Sequence, residues 1–458
     1  MEYPIEEKFC FNPNPVNSGT EKKPANFGTQ ALRNFFTTVK YIIMSSVKEQ
    51  NTSPTPLARE QIPVRKVSVS CFIIPTEEPE SDGTLTWDST KMIYVEVSAA
   101  DQTGIGYTYA DESTARFIRE HLEPVIMGRN VMENTLLWND LYKKIRNMGN
   151  TGLASMAISA VDIALWDLKS KLLKLPLTAL LGRIRDKTAV YGSGGFTSYS
   201  RKELRKQFEE WMKAGIFMFK MKVGRHPQDD PERVREARKI IGDTHELFVD
   251  ANGAYPVREA LKYASSFHEQ QVYWFEEPVS SEDSAGLRFV REHVPPEMNV
   301  AAGEYCYTVR NFHRLLQNGS VDVLQADATR CGGITGFMKA GTLCDAYGIP
   351  LSAHTAPSIH TYLCCCVSRA IHLEYFHDHE RIEQLFFEGR PVPVDGHIAP
   401  DMNSPGLGIR LRKKDAEKYL VYEWEGETGT RRRETGNRKP ETGERGITNT
   451  LINKRNAG

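Results

Sequence analysis

Residues 219–224 read Phe-Lys-Met-Lys-Val-Gly ("FKMKVG"), an apolar run in which two lysines stand one residue apart. Alternate residues of a strand share a face, so Lys220 and Lys222 project the same way, about 7 Å apart. Downstream the layout recurs as short apolar runs, each ending in a polar group. "LFVDAN" carries Asp250, "VYWFEEP" Glu276, "NVAAGE" Glu304, "VDVLQAD" Asp327, "IPLSAH" His354 and "IHLEYF" Glu374. From Lys222 the successive intervals are 28, 26, 28, 23, 27 and 20 residues, with helical segments such as "PERVREARKIIG" between. With "TAVYGSGG" as the first run, eight strands alternate with helices. A (β/α)8 barrel allots about 30 residues to each unit and gathers its functional groups at the carboxyl ends of its strands. Seven such groups in register predict that fold.

Upstream the rhythm differs. "VRKVSVSCFII" and "KMIYVEVSA", separated by a Pro/Glu/Gly-rich stretch at 75–88, predict an antiparallel pair with a loop. A long helical pattern follows from Ala154 to a stop at Gly182. Residues 63–185 therefore read as a small α+β domain and 186–394 as the barrel, with 395–425 as a C-terminal segment. The ends, 1–62 and 426–458, are polar and aperiodic, and read as poorly ordered extensions.

The chain has 458 residues, 40% hydrophobic and 26% charged, with a formal net charge of −1. That is the make-up of a soluble globular protein, without the field that nucleic acid or an anionic membrane would call for. The apolar stretch at 31–44 contains Arg33 and Lys40 and is too short to span a bilayer. Glu2, Glu6 and Glu7 stand where a signal peptide is basic, so the expected location is the cytoplasm. Eight cysteines lack metal-site spacing and read as small buried hydrophobes.

Three carboxylates, Asp250, Glu276 and Glu304, would converge at the barrel mouth. Their mutual repulsion is relieved by a divalent cation, and all-oxygen ligation favours Mg2+. Lys222 lies nearer the mouth than Lys220 and is the candidate base. A like charge and a nearby metal would both pull its pKa down towards working pH. Asp327 and His354, on adjacent strands, can form a hydrogen-bonded dyad. His360, His372, His377 and His379 read as satisfied core or surface groups. A metal flanked by two bases suits removal of a proton α to a carboxylate, which leaves an enediolate in need of positive charge.

In their order, "KMK", "VDAN", "FEEP", "GE", "QAD…GGITG" and "SAH" resemble the enolase superfamily, specifically its mandelate racemase subgroup. The resemblance spans residues 63–425. It implies a modified (β/α)7β barrel under an α+β cap, on which the last segment packs back. It also implies Mg2+ on Asp250, Glu276 and Glu304, and Lys222 in the position of the S-specific base. Lys220, Asn252 and Glu374 match positions that contact the substrate carboxylate or enediolate, and Asp327–His354 matches the dyad. A symmetric assembly of like chains is implied too. The later motifs look most like acid-sugar dehydratases, which convert an aldonate or aldarate to a 2-keto-3-deoxy acid. Lys222 and His354 would share the proton transfers, in an order the sequence leaves open. A racemase or epimerase of a 2-hydroxy acid using the same pair is the alternative, and a non-catalytic acid- or metal-binding barrel a remoter one. By position, 75–88 is the loop that sets specificity. Its Glu77, Glu78, Glu80 and Asp82 read as solvated surface or as hydroxyl acceptors, with Trp87 over the site.

Overall fold

The computed structural model describes residues 61–428 and the backbone of 433–435. Of the expected extension 1–62, residues up to 60 lie outside the described residues, as does most of the polar tail; Ile62 is buried, its N–H donating to Asn130 Oδ1.

The alternating runs form a hairpin, β1 (Lys66–Ser81) and β2 (Thr86–Ala99), antiparallel from Lys66↔Ser98 to Ser81↔Thr86. Its inward residues, among them Val67, Val69, Val95 and Val97, are fully buried. The expected loop at 75–88 is mostly strand. Pairing slips between Pro75 and Glu80, where proline has no N–H for the ladder, and then resumes. Only 82–85 turns, and Asp82 Oδ1 closes it by accepting from the backbone N–H of Thr84 and Leu85 at 2.6 Å each. β3 (Gln102–Tyr109) extends the sheet beside β2. Helix α1 (Leu153–Leu172) lies across it so closely that a Cβ on Gly106 would sit 2.1 Å from the Ala160 carbonyl oxygen.

The eight expected strands all form: β4 (Thr188–Gly194), β5 (Met218–Lys222), β6 (Glu246–Asp250), β7 (Val272–Glu276), β8 (Asn299–Ala302), β9 (Val323–Ala326), β10 (Leu351–Ala353) and β11 (Ala370–Phe376). Neighbours pair in parallel and β11 closes on β4, so the sheet has no free edge. Between them run α2 (Arg201–Lys213), α3 (Asp230–Ile241), α4 (Val257–His268), α5 (Ser284–His293), α6 (Val309–Gln317), α7 (Gly333–Tyr347) and α8 (Pro357–Cys364). Helix α9 (His377–Phe386), after the last strand, turns to the cap: Phe386 packs edge-on against Phe72, and Tyr107 donates to Glu383 at 2.5 Å. Seven strand–helix units and an eighth strand under a cap is the enolase-like barrel.

The chain then returns to the cap as β12 (Leu420–Glu427), antiparallel to β1. Residues Arg433–Thr435, read from sequence as part of the tail, form β13 against β12. The backbone ladder, which needs no apolar side chain, satisfies what would otherwise be an open edge. The seven cysteines among the described residues are buried and unpaired. No helix there is long and apolar enough to cross a membrane.

Candidate active site

The floor of the barrel is apolar and aromatic, with Tyr191, Phe248 and Trp274 fully buried. Above it the inward positions turn ionic. Lys220, on β5, reaches Glu276 at 2.6 Å and Glu374 at 2.8 Å, and is almost wholly buried. One step nearer the mouth, Lys222 Nζ lies 2.5 Å from Asp250 Oδ2. Asp250, Glu276 and Glu304 each offer an oxygen within 4.8 Å of the others. Glu304 Oε2 is buried with no hydrogen-bond partner, although it lies 3.2 Å from His354 Nε2. A buried cluster of anionic oxygens with one orphaned atom fits a hard divalent cation.

His354 follows β10 and donates from Nδ1 to Asp327 Oδ2 at 2.8 Å, leaving Nε2 facing the triad. Asp327 is itself fixed by the Thr329 N–H and hydroxyl, both at 2.7 Å on Oδ1. Lys222 thus adjoins the triad at Asp250 and His354 adjoins it at Glu304. Glu374 Oε2 accepts from the Thr355 N–H at 3.1 Å. Asn252, at φ +47°, has a buried Oδ1 without a partner. All nine residues singled out from the sequence therefore come to one mouth.

The protein's own charges act on Lys222 in both directions. Burial lowers the Lys222 pKa, and Lys220 lowers it further, as the sequence suggested. Asp250, Glu276 and Glu304 outweigh both and hold it above the ordinary lysine value. Lys220 is raised for the same reason, burial being overcome by Glu276 and Glu374. Among protein groups alone, the carboxylates dominate the like-charge effect. Burial likewise opposes protonation of His354, but Glu304 and Glu374 push it up to about 9. Glu276 is raised to about 8 by burial and Asp250.

A cavity of about 220 Å3 opens between this cluster and the cap. Lys222, Asn252, Glu304, His354 and Glu374 line its barrel side. Asp82, Leu85, Trp87, Ser89 and Thr90 line the cap side, all from the hairpin end of β1 and β2. The acidic residues there divide: Glu77 and Glu78 are exposed, whereas Glu80 and Asp82 are buried. Trp87 does face the cavity, edge-on to Phe196 and donating to Glu80 at 2.9 Å. The turn rests on the barrel backbone, since a Cβ on Gly83 would lie 2.3 Å from the Ala251 carbonyl oxygen and 2.7 Å from that of Val223.

Sequence reading missed three residues. Arg330, 3.2 Å from Glu304 and stacked over Tyr305, was visible in "QADATRCGG". Glu277, at φ +38° with an orphaned Oε1, was the second glutamate of "FEEP". His379 was read as structural, yet it lines the cavity. His360 and His372 do sit in the interior with hydrogen-bond partners.

Comparison with known proteins agrees with this fold. Residues 66–182 match the mandelate racemase/muconate lactonizing enzyme N-terminal domain, and 203–416 match the enolase C-terminal domain-like family. The chain belongs to the mandelate racemase/muconate lactonizing enzyme family of the enolase superfamily. An arabinonate dehydratase of Saccharolobus solfataricus is 30% identical over 70% of this chain and 90% of its own. A 3,6-anhydro-α-L-galactonate cycloisomerase of Streptomyces coelicolor is 29% identical over 76% and 97%. Among solved structures, a mandelate racemase/muconate lactonizing enzyme-like protein from Rubrobacter xylanophilus is 49% identical, with TM-score 0.77 over 78% of this chain and 99% of that one. An L-talarate/galactarate dehydratase from Salmonella typhimurium, solved with Mg and L-lyxarohydroxamate, is 26% identical, with TM-score 0.75 over 83% and 97%. Magnesium is the metal of this enolase-superfamily enzyme, and Asp250, Glu276 and Glu304 are the group that could hold it.

Proposed function

We propose that this enzyme dehydrates a sugar acid, taking the proton α to the carboxylate and expelling the 3-hydroxyl to give a 2-keto-3-deoxy acid. The observation that carries the reading is the placement of Lys222 and His354 on either side of the carboxylate triad, both lining one cavity. When bound by the triad, Mg2+ supplies the positive charge that an enediolate requires. Of the two flanking residues, one removes the C2 proton. The C2–H electrons enter the enediolate and then form C2=C3 as the C3–O bond breaks. The other residue protonates the departing hydroxyl, so that water leaves, and the enol tautomerises to the ketone. Asp327 holds the His354 ring with Nε2 inward, and Lys220 supplies fixed positive charge beneath the substrate carboxylate. The curated relatives named arabinonate, L-rhamnonate and L-talarate/galactarate dehydratase support a lyase.

The test is incubation of the Mg2+-loaded enzyme with a library of aldonic and aldaric acids, scoring keto acid with semicarbazide. Formation of a 2-keto acid from at least one supports the proposal. Exchange of the C2 proton with D2O, without keto product from any, would replace dehydration by racemisation or epimerisation, which the same pair can perform.

A further inference from the structure

The two halves of the cavity carry different charge. Its cations are Lys222, Arg330 and His354, all from the barrel, and each already faces a carboxylate: Asp250 at 2.5 Å, Glu304 at 3.2 Å and Asp327 at 2.8 Å respectively. The cap half has no lining cation among the described residues. It presents the Asp82 carboxylate, the apolar Leu85 and Trp87, and the hydroxyls of Ser89 and Thr90. The nearby arginines are committed elsewhere. Arg381 donates to Asp378 at 2.6 Å and to the Pro75 carbonyl at 2.9 Å, and Arg225 donates to the Leu85 carbonyl at 2.8 Å on the turn. Neither lines the cavity.

His379 completes this half. It is 8% exposed, and its ring lies flat on Tyr109, with centroids 3.5 Å apart and planes 14° apart. Its Nδ1 is buried without a partner. Burial and the neighbouring His354 push its pKa down to about 3, so the ring is neutral. A neutral imidazole exchanges hydrogen bonds with a hydroxyl but gives no charge to a carboxylate. An unsatisfied ring nitrogen beside a substrate cavity is an uncompensated cost that a ligand hydroxyl removes.

We propose that the cap-side half binds the uncharged polyol end of the substrate, with His379 as a hydroxyl-binding residue, so that the enzyme acts on monocarboxylic aldonates in preference to dicarboxylic aldarates. This rests on the dehydratase reading. The far carboxylate of an aldarate would enter the space beside Asp82 with no free cation among the described residues to meet it. The hydroxyls of an aldonate can instead donate to Asp82 and pair with His379.

The experiment compares matched acids of one configuration, such as gluconate with glucarate and galactonate with galactarate, and includes pentonates with their diacids. The expected kcat/KM for the best aldonate exceeds that of its aldarate by at least about 100-fold. An aldarate equal to or better than its aldonate overturns the proposal. Should no acid react, the dehydratase reading falls, and the pocket assignment is then decided by calorimetry of the same pairs on Mg2+-loaded Lys222→Ala protein. Tighter binding of the monoacid by at least about tenfold upholds it; equal or tighter diacid binding, or no binding, rejects it. Asp82→Asn keeps the Oδ1 acceptor of the turn and removes the charge, so the aldonate preference should shrink about tenfold. His379→Phe should raise KM about tenfold with kcat nearly unchanged, and His379→Asn should restore part of the loss. An unchanged KM in His379→Phe would reduce that residue to a packing role.

Discussion

The barrel half and the cap half of one cavity are built on opposite plans. On the barrel side, Lys220, Lys222, Asp250, Glu276, Glu304, Asp327, His354 and Glu374 form a continuous buried ionic mesh, each group within reach of an opposite charge. On the cap side, the hairpin end supplies one carboxylate, two apolar side chains and two hydroxyls, and α9 adds the His379 ring. Charge packed this tightly suits making and moving protons. Sparse, mixed polarity suits recognising a shape. Substitutions on the two sides should therefore fail differently, the barrel side in kcat and the cap side in KM.

The sharpest break of that comparison is Lys222→Ala. Turnover should fall by at least about 10^3-fold, while Mg2+ affinity measured by calorimetry changes little. Next comes Glu304→Gln, which removes an anionic ligand. Mg2+ affinity should drop by at least about 100-fold, and turnover lost to a chelator should return in wild type, but not in the variant, on adding equimolar Mg2+. Asp327→Asn leaves the ring of His354 in place but withdraws its charged partner. A fall in kcat of about 10^2-fold with KM within a few-fold is expected, and a change confined to KM would break the division drawn here. On the cap side, Gly83→Ala must lift the turn off the barrel backbone, so KM should rise roughly tenfold with a smaller loss of kcat.

The smallest effect concerns Glu80, in the cap but outside the chemistry. Burial and Asp378 raise its pKa from the ordinary 4.5 to about 8. The folded chain therefore keeps a proton that the unfolded chain has released over this window. Its contribution to stability is complete below about pH 4.5, declines as pH rises and is fully lost above about 8. In Glu80→Gln, thermal melts between pH 5 and pH 8 should lose a few degrees of pH dependence relative to wild type. An unaltered pH slope would place Glu80's proton elsewhere.

The same contrast explains what the sequence could tell. The barrel groups were legible because a period of roughly 26 residues carried one titratable residue to each strand end, and parallel pairing keeps those ends level. The cap side has no such period. Whether Glu80 is buried and Glu78 exposed depends on how the hairpin end docks, which no local pattern records. His379 stands three residues past β11, in the first turn of α9, away from the strand-end count. The pull of the protein's own carboxylates on Lys222 was hidden for a related reason. Lys220 stands two residues away in sequence, whereas Asp250 is 28 residues off and yet 2.5 Å distant.

Gly83 has a consequence of its own. Because the turn bears directly on the carbonyls of Ala251 and Val223, with only the small Ala254 side chain beside them, the headroom of the cavity is set mainly by main chain against main chain. Residues such as Leu85, Trp87 and Ser89 can be exchanged, redecorating the ceiling, while its height stays constant. Under the proposed reading, a change of preference would then come from those side chains rather than from the height of the ceiling.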